Sequence, residues 1–271
     1  MARLSVIEWF DLPIREASGL CCATFDGVEH LVAIGDADTS VAWTPLVSER
    51  PSEWQVTSVA DIEGLPDDLG QFEAVADAGD GRLVIMGEEP ALVVLIDPRA
   101  QRCDGWWRLV VREQPDFAQL WDADENSRGE AMILLPDGHI LVIKEKRPVM
   151  AVEYGPSGRR SLDRSRPASP WEPPAGHELP VAHWADVVDA PGDLSDCVAV
   201  GGRIVAVSDQ DRCLVVLDHS DETLVAGPPI SLGKKIEKPE GLAVTASGTW
   251  FVAMDTKTGS DALVTIEPPA L

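Results

Sequence analysis

The chain has 271 residues, of which 22 are Lys or Arg and 46 are Asp or Glu, giving a formal net charge of −24. That balance excludes recognition of DNA or RNA through the phosphate backbone, which needs a positive face to release counterions. With 45% hydrophobic residues and no apolar run near the roughly 20 residues of a membrane span, the sequence reads as one folded domain over 1–271 with no membrane segment.

The stretch from Met1 to Trp9 lacks a signal-peptide core, and the five cysteines (Cys21, Cys22, Cys103, Cys197, Cys213) show no metal-type spacing. A cytoplasmic chain with small core thiols is expected.

In chain order, Leu4 to Trp9 reads as a lone strand ahead of a repeated unit. The first unit runs Leu20 to Thr24, Asp26-Gly27, His30 to Ile34, the acidic end Asp36 and Asp38, and a short strand near Ser40 to Trp43. The second gives Phe72 to Ala76, the turn Gly79-Asp80-Gly81, Arg82 to Met86, the charged end Glu88-Glu89 and Ala91 to Ile96. An acidic connection, Glu113 to Ser127, precedes the third, which gives Ala131 to Leu135, Pro136-Asp137-Gly138, His139 to Ile143, a charged end from Lys144 to Arg147, and Val149 to Glu153.

A proline-rich excursion over 156–180 follows, read either as an outer strand with surface loops or as a lid carrying Trp171, His177, His183 and Trp184. The fourth unit gives Val198 to Val200, Gly201-Gly202, Arg203 to Val207, Asp209 to Asp211 and Cys213 to Leu217. The fifth gives Leu242 to Val244, Ala246-Ser247-Gly248, Trp250 to Met254, Asp255 to Lys257 and Leu263 to Ile266.

Short strands at regular spacing, bounded by Asp-Gly and Asp-Pro signals, predict hairpins and an all-β protein. Radial repetition of five meanders predicts a five-bladed β-propeller, with the N-terminal strand closing the last blade.

Each unit opens on an acidic residue: Glu16, Glu73, Glu130, Asp196 and Glu240, spaced 57, 57, 66 and 44 residues apart. In a propeller these positions converge on the mouth of the central channel, where like charges repel unless protons or cations neutralise them. Oxygen donors without thiol or imidazole suit a hard ion, Ca²⁺ first, with Mg²⁺ or Mn²⁺ as alternatives.

The same sequence allows a second role, in which each carboxylate caps backbone N–H groups of the next blade. In the metal-site case Glu73 and Glu130 are the candidates for activating water, His183 is the candidate histidine base, and Arg128, Lys144 and Lys146 are candidates for holding an anionic ligand. Two functions fit. One is a metal-dependent propeller that binds, and in the catalytic case hydrolyses, a small anionic, ester, lactone or phosphoester ligand. The other is a non-catalytic propeller that presents tryptophans such as Trp106, Trp107, Trp171 and Trp184 to a protein partner.

The segments Glu16 to Leu20, Phe72 to Ala76, Arg128 to Met132 with Leu135 to Gly138, Asp193 to Asp196, and Lys238 to Ala243 together resemble the SdiA-regulated, YjiK-like β-propeller family. They are more distantly similar to esterase-like phytase and gluconolactonase-type propellers. The resemblance implies a propeller with a metal or ligand site on its axis.

Overall fold

The computed structural model describes residues 3–37, 39–87, 91–111, 115–121, 129–146, 148–156, 170–219 and 223–271. Arg128, Asp38, Glu88, Glu89, Arg147 and residues 157–169 of the proline-rich excursion lie outside the described residues.

The elements run β1 (Val6–Phe10), β2 (Ala17–Phe25), β3 (Val28–Gly35), β4 (Ser40–Val47), β5 (Arg50–Pro51), β6 (Gln55–Ser58), β7 (Phe72–Asp77), β8 (Leu83–Gly87), β9 (Leu92–Asp97) and β10 (Arg102–Val110). After α1 (Pro115–Trp121) come β11 (Ala131–Leu135), β12 (His139–Lys144), β13 (Met150–Tyr154), β14 (Glu178–Val188), β15 (Asp196–Val200), β16 (Arg203–Ser208) and β17 (Cys213–His219). The chain ends through β18 (Leu224–Ala226), β19 (Ile230–Ser231), β20 (Pro239–Val244), β21 (Trp250–Met254) and β22 (Leu263–Ile266).

These strands form antiparallel meanders: β2-β3-β4-β6, β7-β8-β9-β10, β11-β12-β13-β14, β15-β16-β17-β18 and β20-β21-β22-β1. The expected closure is present, because β1 pairs antiparallel with β22. The first strands β2, β7, β11, β15 and β20 lie side by side in that cyclic order, and β20 returns against β2.

Most central strands are apolar along their whole length because each sheet is covered on both faces. One core layer joins Val32, Ile34 and Trp43 to Phe72, Ile85 and Val94, and the next joins Val84 and Leu95 to Leu134, Ile140 and Val152. Others lie between Ile143 and Ala206, between Val207 and Val252, and between Phe251 and Leu31. The hairpin turns use the left-handed region that Asp-Gly and Gly-Gly adopt: Asp26 and Gly27 at φ 51° and 78°, Gly201 and Gly202 at 59° and 78°.

Two features depart from expectation. The fourth strands β10 and β14 are long, and β14 bridges three sheets: it pairs parallel with β10 at one end and β18 at the other, and antiparallel with β13 between. The lid is not formed by its four named residues. Trp171 is buried in the core edge-to-face with Trp107 at 5.6 Å, His177 stacks on Trp106, and His183 and Trp184 sit in β14. Of the tryptophans offered as partner contacts, Trp107 and Trp171 are buried, while Trp106 and Trp184 are half-buried, the latter against Phe117 of α1.

Candidate functional site

The site begins with a bulge at the start of the inner strands. In β2 the register shifts between Ala17 and Gly19, in β7 between Phe72 and Ala74, and in β20 between Pro239 and Gly241. The extra residue is Ser18, Glu73 or Glu240. In the third and fourth meanders, Glu130 N donates to Ile143 O beside the Ala131–Ile143 pair, and Ser195 N donates to Val207 O beside the Asp196–Val207 pair. The equivalent bulge positions are therefore Ser18, Glu73, Glu130, Ser195 and Glu240. A bulge re-aims its side chain, here toward the channel mouth. The two serines each span to a neighbour: Ser18 Oγ donates to Phe72 O and Ser195 Oγ to Pro239 O.

Asp196 stands one residue further along, where the other strands have Gly19, Ala74, Ala131 and Gly241. It does not join the mouth. Its Oδ2 accepts from Leu242 N at 2.7 Å and Leu20 N at 3.3 Å, and Oδ1 accepts from Cys197 N at 2.7 Å. Burial pushes this carboxyl up, and the three N–H donors pull it back. At this one position the expected metal ligand is instead the backbone cap that the sequence also allowed.

A second acidic level lies at the end of each second strand. Asp36, Glu145, Asp209 and Asp255 follow Gly35, Lys144, Ser208 and Met254, which occupy equivalent register positions. Glu88 holds the same place in the sequence. A cavity of about 280 Å³ opens between the two levels, lined by Glu16, Glu73, Glu130 and Glu240 together with Asp36, Gln71, Glu145, Lys146 and Asp255. Four of the five expected carboxylates are thus brought together. Glu16 reaches the cavity from outside the bulge, two residues before Ser18, in the left-handed region at φ 49°.

The mouth resists negative charge. Burial pushes the Glu240 carboxyl up to about 9, reinforced by Asp209, Glu145 and Asp255 and opposed by Lys238. Burial and then Glu16 raise Asp36, burial raises Glu145 against the pull of Lys146, and burial with Asp193 raises Asp209. Asp36 Oδ1 is buried with no hydrogen-bond donor among the described residues. Lys146 Nζ lies 2.7 Å from Glu145 Oε2 and lines the cavity, whereas Lys238 pairs with Asp255.

Lys144 does not line the mouth; it is 1% exposed, and its ammonium donates to Lys146 O at 3.2 Å. His183 is also displaced from the site, on the outermost strand of its meander opposite Glu153. The hard-oxygen donors and the orphaned Asp36 oxygen suit a hard cation in chemistry. Their arrangement is open: among the described residues, no group of three or more His, Cys, Asp or Glu side chains is disposed to hold one metal ion. The second level was legible in the sequence as the charged ends of the second strands, since an acidic residue follows that strand in every unit.

No protein-family model matches the chain, and no curated protein matches it in sequence. Among solved structures it is similar to the glutaminyl cyclase of Myxococcus xanthus, at 13% identity over 98% of this chain and 97% of that one, with a TM-score of 0.61. It is also similar to the calcium-binding regucalcin of Agrobacterium tumefaciens, at 11% identity, 98% and 94% coverage and a TM-score of 0.53. A third likeness is to the PQQ-bound aldose sugar dehydrogenase of Streptomyces coelicolor, at 10% identity, 97% coverage of both chains and a TM-score of 0.52. At these identities the likeness is one of fold, and it shows an all-β chain of the propeller type.

Proposed function

We propose that the chain is a single-domain, five-bladed propeller whose channel mouth takes up a cation, Ca²⁺ before Mg²⁺ or Mn²⁺, and with it a small anionic or ester ligand. The observation that carries this is the convergence of Glu16, Glu73, Glu130 and Glu240 with Asp36, Glu145 and Asp255 on one cavity. Burial first, and neighbouring carboxyls second, disfavour the charged forms of Glu240, Asp36 and Glu145, and a bound cation reverses that cost.

The open arrangement suits an ion that keeps part of its hydration shell, and Lys146 supplies the positive group nearest to an anionic ligand. No hydrolytic step is assigned to these residues. The five meanders and the cyclic order of their inner strands support the five-bladed form, while the SdiA-regulated likeness rests on the blade-start motifs of the sequence alone. Five free cysteines with no disulfide support a reducing, cytoplasmic location.

The test is thermal unfolding in EDTA, then with each ion titrated back. A saturable rise with one ion, absent in Glu73→Gln/Glu240→Gln, is expected. A folded double variant that responds as the parent does would remove these residues from the site.

A further inference from the structure

In a chain this acidic, the places where cations stand without acidic partners are informative. One lies between β1 and the turn after β19, and its lining shares no residue with that of the mouth cavity. A cavity of about 370 Å³ is lined there by Arg3, Leu4, Ser5, Val6, Trp9, Leu232 and Lys235. Its volume falls in the range of small-molecule pockets.

Backbone geometry fixes its walls: Leu4 N donates to Ser231 O at 2.9 Å, and Arg3 forms a parallel bridge with Ser231. Gly233, at φ +84°, lets the Arg3 guanidinium lie on the chain, since a Cβ there would stand 2.8 Å from Arg3 Nε. Leu232 is buried and Trp9 half-buried, so the cavity has an apolar side. Neither Arg3 nor Lys235 makes an ion pair among the described residues. The carboxylates nearest in sequence are spent or set apart: Glu8 pairs with Arg50 at 2.8 Å, and Glu237 and Glu267 form no pair with either cation.

We propose that this cleft binds a small oxyanion carried on a planar ring, a phosphate monoester or a carboxylate, with Arg3 and Lys235 on the oxyanion and Trp9 against the ring. The guanidinium offers a planar fork of donors, the ammonium a point charge and the indole a flat apolar face. The site is separate from the acidic mouth and requires no metal.

The experiment is calorimetric titration of the full chain in metal-free buffer with phenyl phosphate, benzoate and inorganic phosphate. Saturable one-to-one binding of at least one ring-bearing probe is expected, tighter than that of inorganic phosphate. Arg3→Met with Lys235→Met should weaken it about tenfold or more. Gly233→Ala, which keeps both charges, should weaken it by displacing Arg3. Lys235→Met alone, on an exposed turn, serves if the double variant does not fold, and Glu73→Gln/Glu240→Gln should leave binding unchanged. Whether phenyl phosphate or benzoate binds more tightly identifies the oxyanion. No saturation by either ring-bearing probe up to roughly 10 mM, or undiminished binding by the charge variants, would overturn the proposal.

Discussion

Asp196, which is buried, and Glu240, which is half-buried, are two carboxyls near the axis with opposite tasks. Asp196 holds three backbone N–H groups from β2, β15 and β20, so Asp196→Ala leaves buried donors unsatisfied. We expect a loss of about 3 kcal/mol or more in urea unfolding, with the slope unchanged. Glu240 instead carries a cost. Its carboxyl is raised in the folded chain to about 9 from an ordinary 4.5, so the folded form keeps a proton that the unfolded form releases. The contribution is fully favourable below about pH 4.5 and is lost as pH rises toward about 9. In EDTA, Glu240→Gln should therefore be more stable than the parent by about 2–3 kcal/mol near pH 7, and the gap should close by pH 4. A gap that does not change with pH would place the Glu240 proton elsewhere.

At the scale of elements, the hairpins were legible because Asp-Gly and Gly-Gly turns and doubly buried apolar runs such as Leu92 to Ile96 carry their own signals. Of the fourth strands, β1 was legible, whereas β10 and β14 were not. β10 and β14 alternate partly buried and exposed residues, and their pairing depends on neighbouring sheets that local pattern does not reveal. The site was legible in outline but shifted in register. Glu16 and Asp196 resemble Glu73, Glu130 and Glu240 in the string, yet lie two residues before and one after the bulge, and a slip of one residue turns a side chain to another face. Ser18 and Ser195, the true equivalents, carry no charge to mark them. The small residue after the bulge has its own role where units meet. A Cβ on Gly241 would stand 2.8 Å from Leu20 Cγ and 3.0 Å from Ala253 Cβ. Gly241→Ala should therefore cost about 1–3 kcal/mol, read as a lower urea midpoint. An unchanged midpoint would mean that β20 and β2 do not pack this closely.

On the scale of the whole molecule, the ring is held by inter-sheet core layers and by β1, which the sequence places first and the fold places last, against β22. Removing 1–10 should expose the β22 edge and the apolar faces of Trp250, Val252 and Ile266. The truncated chain should unfold at lower urea and scatter light at concentrations where the parent does not. Equal stability of the truncated chain would show that β1 is dispensable for closure.

The central claim, that the mouth is a cation site built from bulge and hairpin-end carboxyls, is tested most directly by thermal unfolding of the parent and of Glu73→Gln/Glu240→Gln in EDTA, followed by Ca²⁺ titration. The parent should gain stability saturably, by about 2.7 kcal/mol at a hundredfold excess over Kd, and the double variant should gain little. A parent that shows no response to Ca²⁺, Mg²⁺ or Mn²⁺ while remaining folded would contradict it.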